Sequence, residues 1–206
     1  MIPGPPPGPS PQPKEHTKTT TVTPDLVETL NGTWDIDVSH SEVAFVIRHL
    51  MVSKVRGTFN DFSGSFVVGD SLATTSVQAD IALASIDTNS PDRDGHVRSA
   101  DFFDVENFPS MSYRSTAVRA DGDHYVVDGE LTLHGVTKPV ALRLEVNGYL
   151  PESPFGDTRV GFSASTEIDR RDFGLEWNAP VNGGGVVLGH KIAIALEIEA
   201  IRRTEG

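Results

Sequence analysis

The sequence contains no cysteine, and this absence removes several kinds of site at once. Without thiols the chain cannot form disulfide bridges, use a cysteine nucleophile or hold zinc through cysteine ligands. A small fold that depends on a disulfide framework is therefore excluded.

Long apolar runs are also absent. No stretch approaches the roughly 20 apolar residues that a membrane-spanning helix needs. The N-terminus does not combine a basic start with an apolar run, as a secretory signal does. We therefore expect a cytoplasmic protein with no stable membrane insertion.

Basic residues are in the minority. The 206-residue chain has 17 Lys and Arg against 29 Asp and Glu, which gives a formal net charge of −12. An acidic surface repels nucleic acid, so we expect no nucleic-acid partner. The length is sufficient for one well-buried core, and we expect one folded domain.

The sequence contains no recognisable metal-binding or catalytic motif. The histidines stand apart, with no pair at metal-ligand spacing, so we expect no metal site. Asp37, His40 and Ser41 are close together, but an extended chain sends neighbours to different faces and no nucleophile-elbow motif surrounds the serine. We expect no catalytic residues and no cofactor.

The N-terminal segment has a composition of its own. Residues 3–13 are mostly proline and glycine, and a Lys- and Thr-rich run follows. Such a segment cannot bury enough apolar surface to offset its ordering entropy. We predict that residues 1–30 are a disordered, proline-rich tail and that residues 31–206 form the folded domain.

Most of the remaining sequence alternates apolar with polar residues, the pattern of half-buried β-strands. The last such segment, Leu188–Ile201, is about 14 residues long and would reach about 45 Å. We count about eight to ten segments, joined mostly by short loops. An antiparallel all-β sheet with strands this long must curl into a barrel or fold into a sandwich.

One segment departs from the strand pattern. Ser90 is a good N-cap, Pro91 suits the first helical position, and Asp92 and Asp94 lie in the first turn. We predict a short helix from residue 91 to about 104 that covers one end or one side of the sheet.

If the sheet closes, one apolar face points inward. A filled barrel and a hollow barrel have the same periodicity, but long strands favour a hollow barrel that holds one slim ligand. The predicted lining residues are Phe45, Ile47, Phe59, Phe66, Ile81, Leu83, Tyr113, Leu131, Leu142, Leu144, Phe162, Ile194 and Leu196.

Several motifs, in order and at characteristic spacing, carry a family resemblance over residues 32 to about 202. They are Trp34-x-Ile36-Asp37-x-x-His40-Ser41-x-Val43-x-Phe45, Val55-x-Gly57-x-Phe59, Arg93-Asp94-x-His96-x-Arg98-Ser99-x-Asp101-Phe102-Phe103, Val127-x-Gly129-x-Leu131-Thr132 and Arg170-x-Asp172-Phe173-Gly174. In these motifs the chain resembles the YceI-like, lipocalin-like proteins.

The resemblance implies an extended eight-stranded antiparallel β-barrel with a short capping helix. It also implies a binding protein that holds an isoprenoid quinone, a polyprenyl phosphate or another long-chain amphiphile, for storage, transport or sensing. It assigns no catalytic residues. As candidates for orienting the ligand's head group we select Asp87, Arg93, His96, Arg98 and Arg170.

Two other functions stay open at this stage. An enzyme for a lipophilic substrate would show a polar cluster with a perturbed pKa deep in the cavity. A solid-core barrel that acts as an interaction module would have no cavity. A homodimer formed through a barrel edge is also compatible with the sequence.

Overall fold

The computed structural model describes residues 26–181 and 185–204, and these residues form one closed sheet with two short helices. The helices are α1 (Leu26–Leu30) and α2 (Pro91–Arg98). The strands are β1 (Gly32–Ile36), β2 (Glu42–His49), β3 (Ser53–Phe59), β4 (Phe62–Val68), β5 (Ser76–Ala82), β6 (Ile86–Asp87), β7 (Ser110–Asp121), β8 (His124–Leu133), β9 (Val136–Leu150), β10 (Arg159–Asp169) and β11 (Leu188–Arg202).

The eleven strand segments make eight barrel strands, because three consecutive pairs each act as one strand. A 3₁₀ turn interrupts the first pair, β1 and β2, at Val38–His40, and another interrupts β5 and β6 at Leu83–Ser85. β3 continues into β4 through a two-residue bend. β11 pairs with both β1 and β2, which closes the sheet. The predicted eight-stranded antiparallel barrel is confirmed.

The barrel has two distinct ends. The α2 end carries α2, the β2–β3 turn, the β8–β9 turn and a 3₁₀ turn at Arg170–Phe173. The α1 end carries α1, the β4–β5 and β7–β8 connections and the β9–β10 loop, residues 151–158. The two ends differ in the chemistry of the side chains that meet there.

α1 packs against the part of the core at the α1 end. Leu30 and Trp34 are fully buried, and the Trp34 indole Nε1 donates to the Leu30 carbonyl oxygen at 2.7 Å. The Trp34 ring stacks on Phe66, with 5.8 Å between centroids. Residues 26–30, which we predicted to belong to the tail, therefore fold with the barrel. The rest of the predicted tail, residues 1–25, lies outside the described residues.

α2 is shorter than predicted, since it ends at Arg98 and not near residue 104. Ser99 leaves the helical conformation at ψ 173°, and its hydroxyl donates to the His96 carbonyl at 2.7 Å. This local hydrogen bond competes with a further helical turn. The chain then turns so that Phe102 is buried and the Phe103 ring lies 6.0 Å from that of Phe59. Among the described residues, no helix has the length and apolar character needed to cross a bilayer.

Candidate functional site

The barrel encloses a cavity of about 440 Å³, a size typical of small-molecule sites. Its wall includes Val27 and Leu30 at the α1 end and His96 and Trp177 at the α2 end, so it follows the barrel axis. A filled barrel predicts no such space. The solid-core alternative is therefore wrong.

The predicted lining residues lie on the cavity wall, with one exception, Leu83. Leu83 is fully buried but belongs to the 3₁₀ turn that follows β5, where the alternation of faces stops. The residues found on the wall as predicted are Phe45, Ile47, Phe59, Phe66, Ile81, Tyr113, Leu131, Leu142, Leu144, Phe162, Ile194 and Leu196.

The cavity wall is polar mainly at one end. Its histidine and arginine side chains are His49, Arg93, His96 and Arg170, and all four belong to the α2 end. No Asp, Glu or Lys is found among the described wall residues. The cavity therefore offers an apolar bore along the axis and hydrogen-bond donors at the α2 end.

Arg170 is the most buried charged group of the site, with only 1% of its surface exposed. Its Nε donates to the Gly189 carbonyl at 2.9 Å and its Nη1 donates to the Leu175 carbonyl. Its Nη2 is buried without a hydrogen-bond partner, and no carboxylate among the described residues forms an ion pair with it. Burial lowers the pKa of Arg170, because a low-dielectric interior disfavours an isolated charge. Nη2 is thus a buried donor, on a residue of the cavity wall, that the described residues leave unpaired.

Arg93 is fixed by a short network at the start of α2. Its Nε donates to the Thr88 hydroxyl at 2.7 Å, and its Nη2 donates to the Thr88 carbonyl at 2.6 Å. The same hydroxyl donates to the buried Asp94 carboxylate at 2.5 Å. The guanidinium of Arg93 is thus held at the cavity wall by groups that do not use all its donors.

His96 marks the mouth of the cavity, because it lines the cavity while 41% of its side chain is exposed. Its ring meets Trp177 and Phe102 edge-on at centroid distances of 4.9 and 5.1 Å. Its Nε2 lies 2.9 Å from an Asp101 carboxylate oxygen. Trp177 was not predicted, because it lies in an irregular segment without periodicity, and Phe102 was not predicted as a wall residue although it is part of a family motif.

The other two head-group candidates, Asp87 and Arg98, lie off the cavity wall, in a separate surface depression. Arg98 Nη2 donates to the Ile86 carbonyl at 2.7 Å, and Asp87 accepts from the Asn89 amide at 2.8 Å. The Arg98 contact joins α2 to β6, whereas the Asp87 contact is a local one in the turn that follows β6. Arg98 therefore supports the position of the helix from outside the cavity.

Tyr113 is an ionisable group deep in the cavity. Burial raises the pKa of its phenol, which donates to the Val127 carbonyl at 2.9 Å and to the Val140 carbonyl at 3.1 Å. It is therefore a neutral side chain fixed by two backbone carbonyls. This arrangement does not form the acid–base pair that a catalytic cluster would need.

One cluster on the outer surface brings a histidine close to two carboxylates that could also bind a metal. His40, Asp37 and Glu199 bring potential ligand atoms within 4.8 Å of one another. Arg159 Nη1 already pairs with Asp37 at 3.0 Å and with Glu199. Ser39 Oγ and Asp37 both contact His40 Nδ1, at 3.1 and 2.9 Å, so the group lacks the relay of a Ser-His-Asp triad.

Comparison with known proteins finds a matching family, similar sequences and similar structures. Residues 34–200 match the YceI-like domain. A UPF0312 protein from Photorhabdus laumondii is 44% identical over 143 residues, which cover 69% of this chain and 74% of the relative. A solved YCEI protein from Campylobacter jejuni has a TM-score of 0.65 and 27% identity, and the match covers 76% of this chain and 90% of that one.

A more distant structure shares the fold alone. It is a polyisoprenoid binding domain from Saccharophagus degradans, with a TM-score of 0.61 and 18% identity over 82% of this chain and 98% of that one. The family match and the Photorhabdus relative both span most of the barrel. The chain therefore belongs to the family of proteins with a YceI-like domain.

Proposed function

We propose that this protein binds a long-chain isoprenoid lipid, with the chain along the barrel axis and the head group at the α2 end. The observation that carries the proposal is the polarity of the cavity, which has an apolar bore and arginine and histidine side chains at one end. The family resemblance supports an isoprenoid as the chain. The polyisoprenoid binding domain with the same fold is compatible with this assignment, but a likeness at that identity carries the fold only.

The head group that suits the α2 end is an oxygen acceptor. Arg170, Arg93 and His96 supply donors, and no acidic side chain among the described wall residues would repel an anion. The carbonyl oxygens of an isoprenoid quinone and the phosphate of a polyprenyl phosphate both meet this requirement. Arg170 is the principal contact, because among the described wall residues it is the one with a buried donor, Nη2, that has no hydrogen-bond partner.

Binding, and not catalysis, is the proposed activity. Family membership favours a binding protein, and the ionisable phenol deep in the cavity is fixed as a donor. In a membrane the prenyl chain is already out of water, so burying it in the barrel gives little net preference. Head-group contacts and the fit of the chain must then decide whether the protein stores, transports or senses the lipid. Cytoplasmic location and a homodimer stay predictions from the sequence.

The first experiment is native mass spectrometry of the purified protein, followed by solvent extraction and fragmentation of any bound lipid. The delipidated protein is then titrated with a polyprenyl phosphate, the polyprenyl alcohol of equal chain length, an isoprenoid quinone and inorganic phosphate. We expect the chain-bearing compounds to bind and inorganic phosphate not to bind. A protein that is empty and refuses all three lipids would contradict the proposal.

The head-group assignment has its own test, Arg170→Met. Loss of a charged hydrogen bond should lower the preference for polyprenyl phosphate over polyprenyl alcohol by about tenfold to a hundredfold. The ratio of two ligands is insensitive to a general loss of stability, which matters because Arg170 also contacts Gly189 and Leu175. Arg98→Met, off the cavity wall, is the matched control and should leave the ratio unchanged. An unchanged ratio in folded Arg170→Met would rule out the assignment.

A further inference from the structure

The turn between β2 and β3 exposes three consecutive apolar side chains. Leu50, Met51 and Val52, called the hairpin tip here, are 40%, 58% and 83% exposed. Leu50 and Met51 have φ values of 50° and 60°, a left-handed conformation that apolar residues rarely adopt. The turn is nevertheless well anchored, since the Leu50 amide donates to the Val187 carbonyl at 2.7 Å. The tip is therefore a fixed apolar projection into solvent.

Basic side chains flank this tip in a chain that is acidic as a whole. Arg48, Lys54 and Arg56, called the basic flank here, are all exposed on the outer face of the same hairpin. Arg48 lies directly opposite Lys54, and Arg56 is the next outward residue along β3. Within the described part of the chain, none of the three forms an ion pair. The hairpin thus combines an apolar end with a local positive charge.

The hairpin is also part of the cavity wall. Its inward residues Ile47, His49 and Val55 line the cavity, and Val187, which holds the turn, lines it too. The tip therefore lies at the same end as the mouth beside His96. Acidic residues at this end lie outside the hairpin, in the segment around α2, which carries Asp92, Asp101, Asp104 and Glu106, and in the segment after β10, which carries Asp172 and Glu176. The protein would therefore approach a negatively charged surface with this hairpin in front.

We propose that the hairpin tip inserts into the interface of an anionic lipid bilayer while the basic flank contacts the lipid head groups. Exposed apolar side chains next to Lys and Arg are the combination that binds proteins to the surface of such membranes. The negative charge of the remaining surface opposes any other orientation and keeps the contact reversible. The mouth would then face the membrane from which a lipid enters the barrel.

The purpose of this contact rests on the proposed function, but the contact itself does not need a lipid in the cavity. The test is co-sedimentation of the full chain with vesicles of phosphatidylglycerol and phosphatidylcholine, compared with vesicles of phosphatidylcholine alone. We expect binding to the anionic vesicles that weakens as salt increases. Equal binding to both vesicle types, or no binding to either, would overturn the proposal.

Variants separate the two parts of the hairpin. Lys54→Gln with Arg56→Gln should weaken binding about fivefold for each charge removed, or about 25-fold together. The charge-matched control is Arg119→Gln with Arg143→Gln on the outer faces of β7 and β9, which should have a much smaller effect. Met51→Ser with Val52→Ser should also weaken binding. The control for exposed apolar area is Phe155→Ser, because Phe155 is 81% exposed at the α1 end.

The outcomes distinguish binding of the hairpin to a bilayer from binding to another partner. Controls that weaken binding as much as the hairpin variants would show a nonspecific effect and overturn the proposal. So would hairpin variants that change the sedimentation mass of the protein and leave vesicle binding unchanged, since the tip would then contact a second copy. Native mass spectrometry of the hairpin variants should still find any cavity lipid, so a failure of membrane docking can be told from a failure of lipid binding.

Discussion

Two motif glycines make room for aromatic rings inside the barrel. Gly57 lies directly opposite Phe45, and a Cβ atom at Gly57 would lie 2.6 Å from Phe45 Cζ. On the other side of the barrel, a Cβ at Gly129 would lie 2.5 Å from the Tyr113 ring. The same Val-x-Gly pattern in β3 and β8 thus serves the same packing purpose, in which a ring covers the space above a glycine.

Gly57→Ala should therefore destabilise the protein by about 1–3 kcal/mol, because the added methyl group overpacks the site. The matched control is Gly148→Ala in β9, where a Cβ meets no atom within 4 Å. We expect that control to change the free energy of unfolding by less than about 0.5 kcal/mol. Urea unfolding measures both variants. A similar loss in the two proteins would contradict the packing argument.

Period-two alternation predicted individual wall residues well, because the face of the sheet on which a side chain lies depends only on its position along the strand. It misplaced Leu83 because the 3₁₀ turn at Leu83–Ser85 ends the alternation without a glycine or proline to signal it. The burial of Arg170 was not predictable by the same reasoning. That burial depends on the carbonyls of Leu175 and Gly189, which only the folded chain brings to the guanidinium.

At the scale of elements, the junction of β1 and β2 depends on one carboxylate. Asp37 accepts from the Ser39 hydroxyl at 2.6 Å and from the Ser39 amide at 3.0 Å, and Arg159 Nη1 lies 3.0 Å away. The hydrogen bond from Ser39 and the contact with His40 hold the pKa of Asp37 well below its ordinary value. A group with a lowered pKa adds stability above its unfolded pKa and loses it as the pH falls through its folded pKa.

We expect the native protein to lose stability as the pH falls below about 4, the pKa of an unfolded aspartate. Asp37→Asn should be less stable at pH 7 and should lose less stability between pH 7 and pH 3. Melting temperatures at the two pH values measure the difference. Asp92→Asn, on an exposed residue with no ion pair among the described residues, is the control and should retain the native pH dependence. If Asp37→Asn had the full native pH dependence, this carboxylate would not be its source.

Element types were easier to predict than element ends. β11 was placed to within one residue, because its alternation continues to the edge of the sheet. α2 was predicted too long, because Ser99 ends the helix and Phe103 reaches the core from the turn that follows. The sequence contains no local signal for the pairing of β1 with β11, a contact between the two ends of the barrel sequence.

At the scale of the whole molecule, ligand binding and stability must be linked. A ligand at 100 times its Kd should add about 2.7 kcal/mol, and for a domain of this size each kcal/mol raises Tm by about 2–4 °C. Polyprenyl phosphate should therefore raise the Tm of the delipidated protein by about 5–11 °C. Scanning calorimetry over a range of ligand concentrations measures the rise.

The control for this linkage is a variant with less cavity space. Ala164 lies on the cavity wall between Leu144 and Leu196 on the neighbouring strands, so Ala164→Phe should fill part of the bore. We expect its Tm to respond little to the lipid. An equal rise in native protein and folded variant would indicate that the lipid binds outside the barrel.

Of the properties of the whole molecule, some were predictable from the sequence and others were not. The family motifs implied the strand number, but no periodicity distinguishes a hollow barrel from a filled one. The net charge of −12 indicated a surface that repels anions, yet this average conceals Arg48, Lys54 and Arg56 side by side on one hairpin. Local charge depends on which strands are neighbours, and composition cannot report that.

The burial of Trp34 and Leu30 at the α1 end has a consequence for selectivity. Residues of α1 bound the cavity at one end and the hydrogen-bond donors lie at the other end. The length of the cavity should therefore select for the length of the bound chain. A prenyl chain that is too short would leave unfilled space beside Leu30 and Phe66, and one that is too long would push its polar group outward past His96. Affinity should therefore peak at one number of isoprene units and fall on both sides of it.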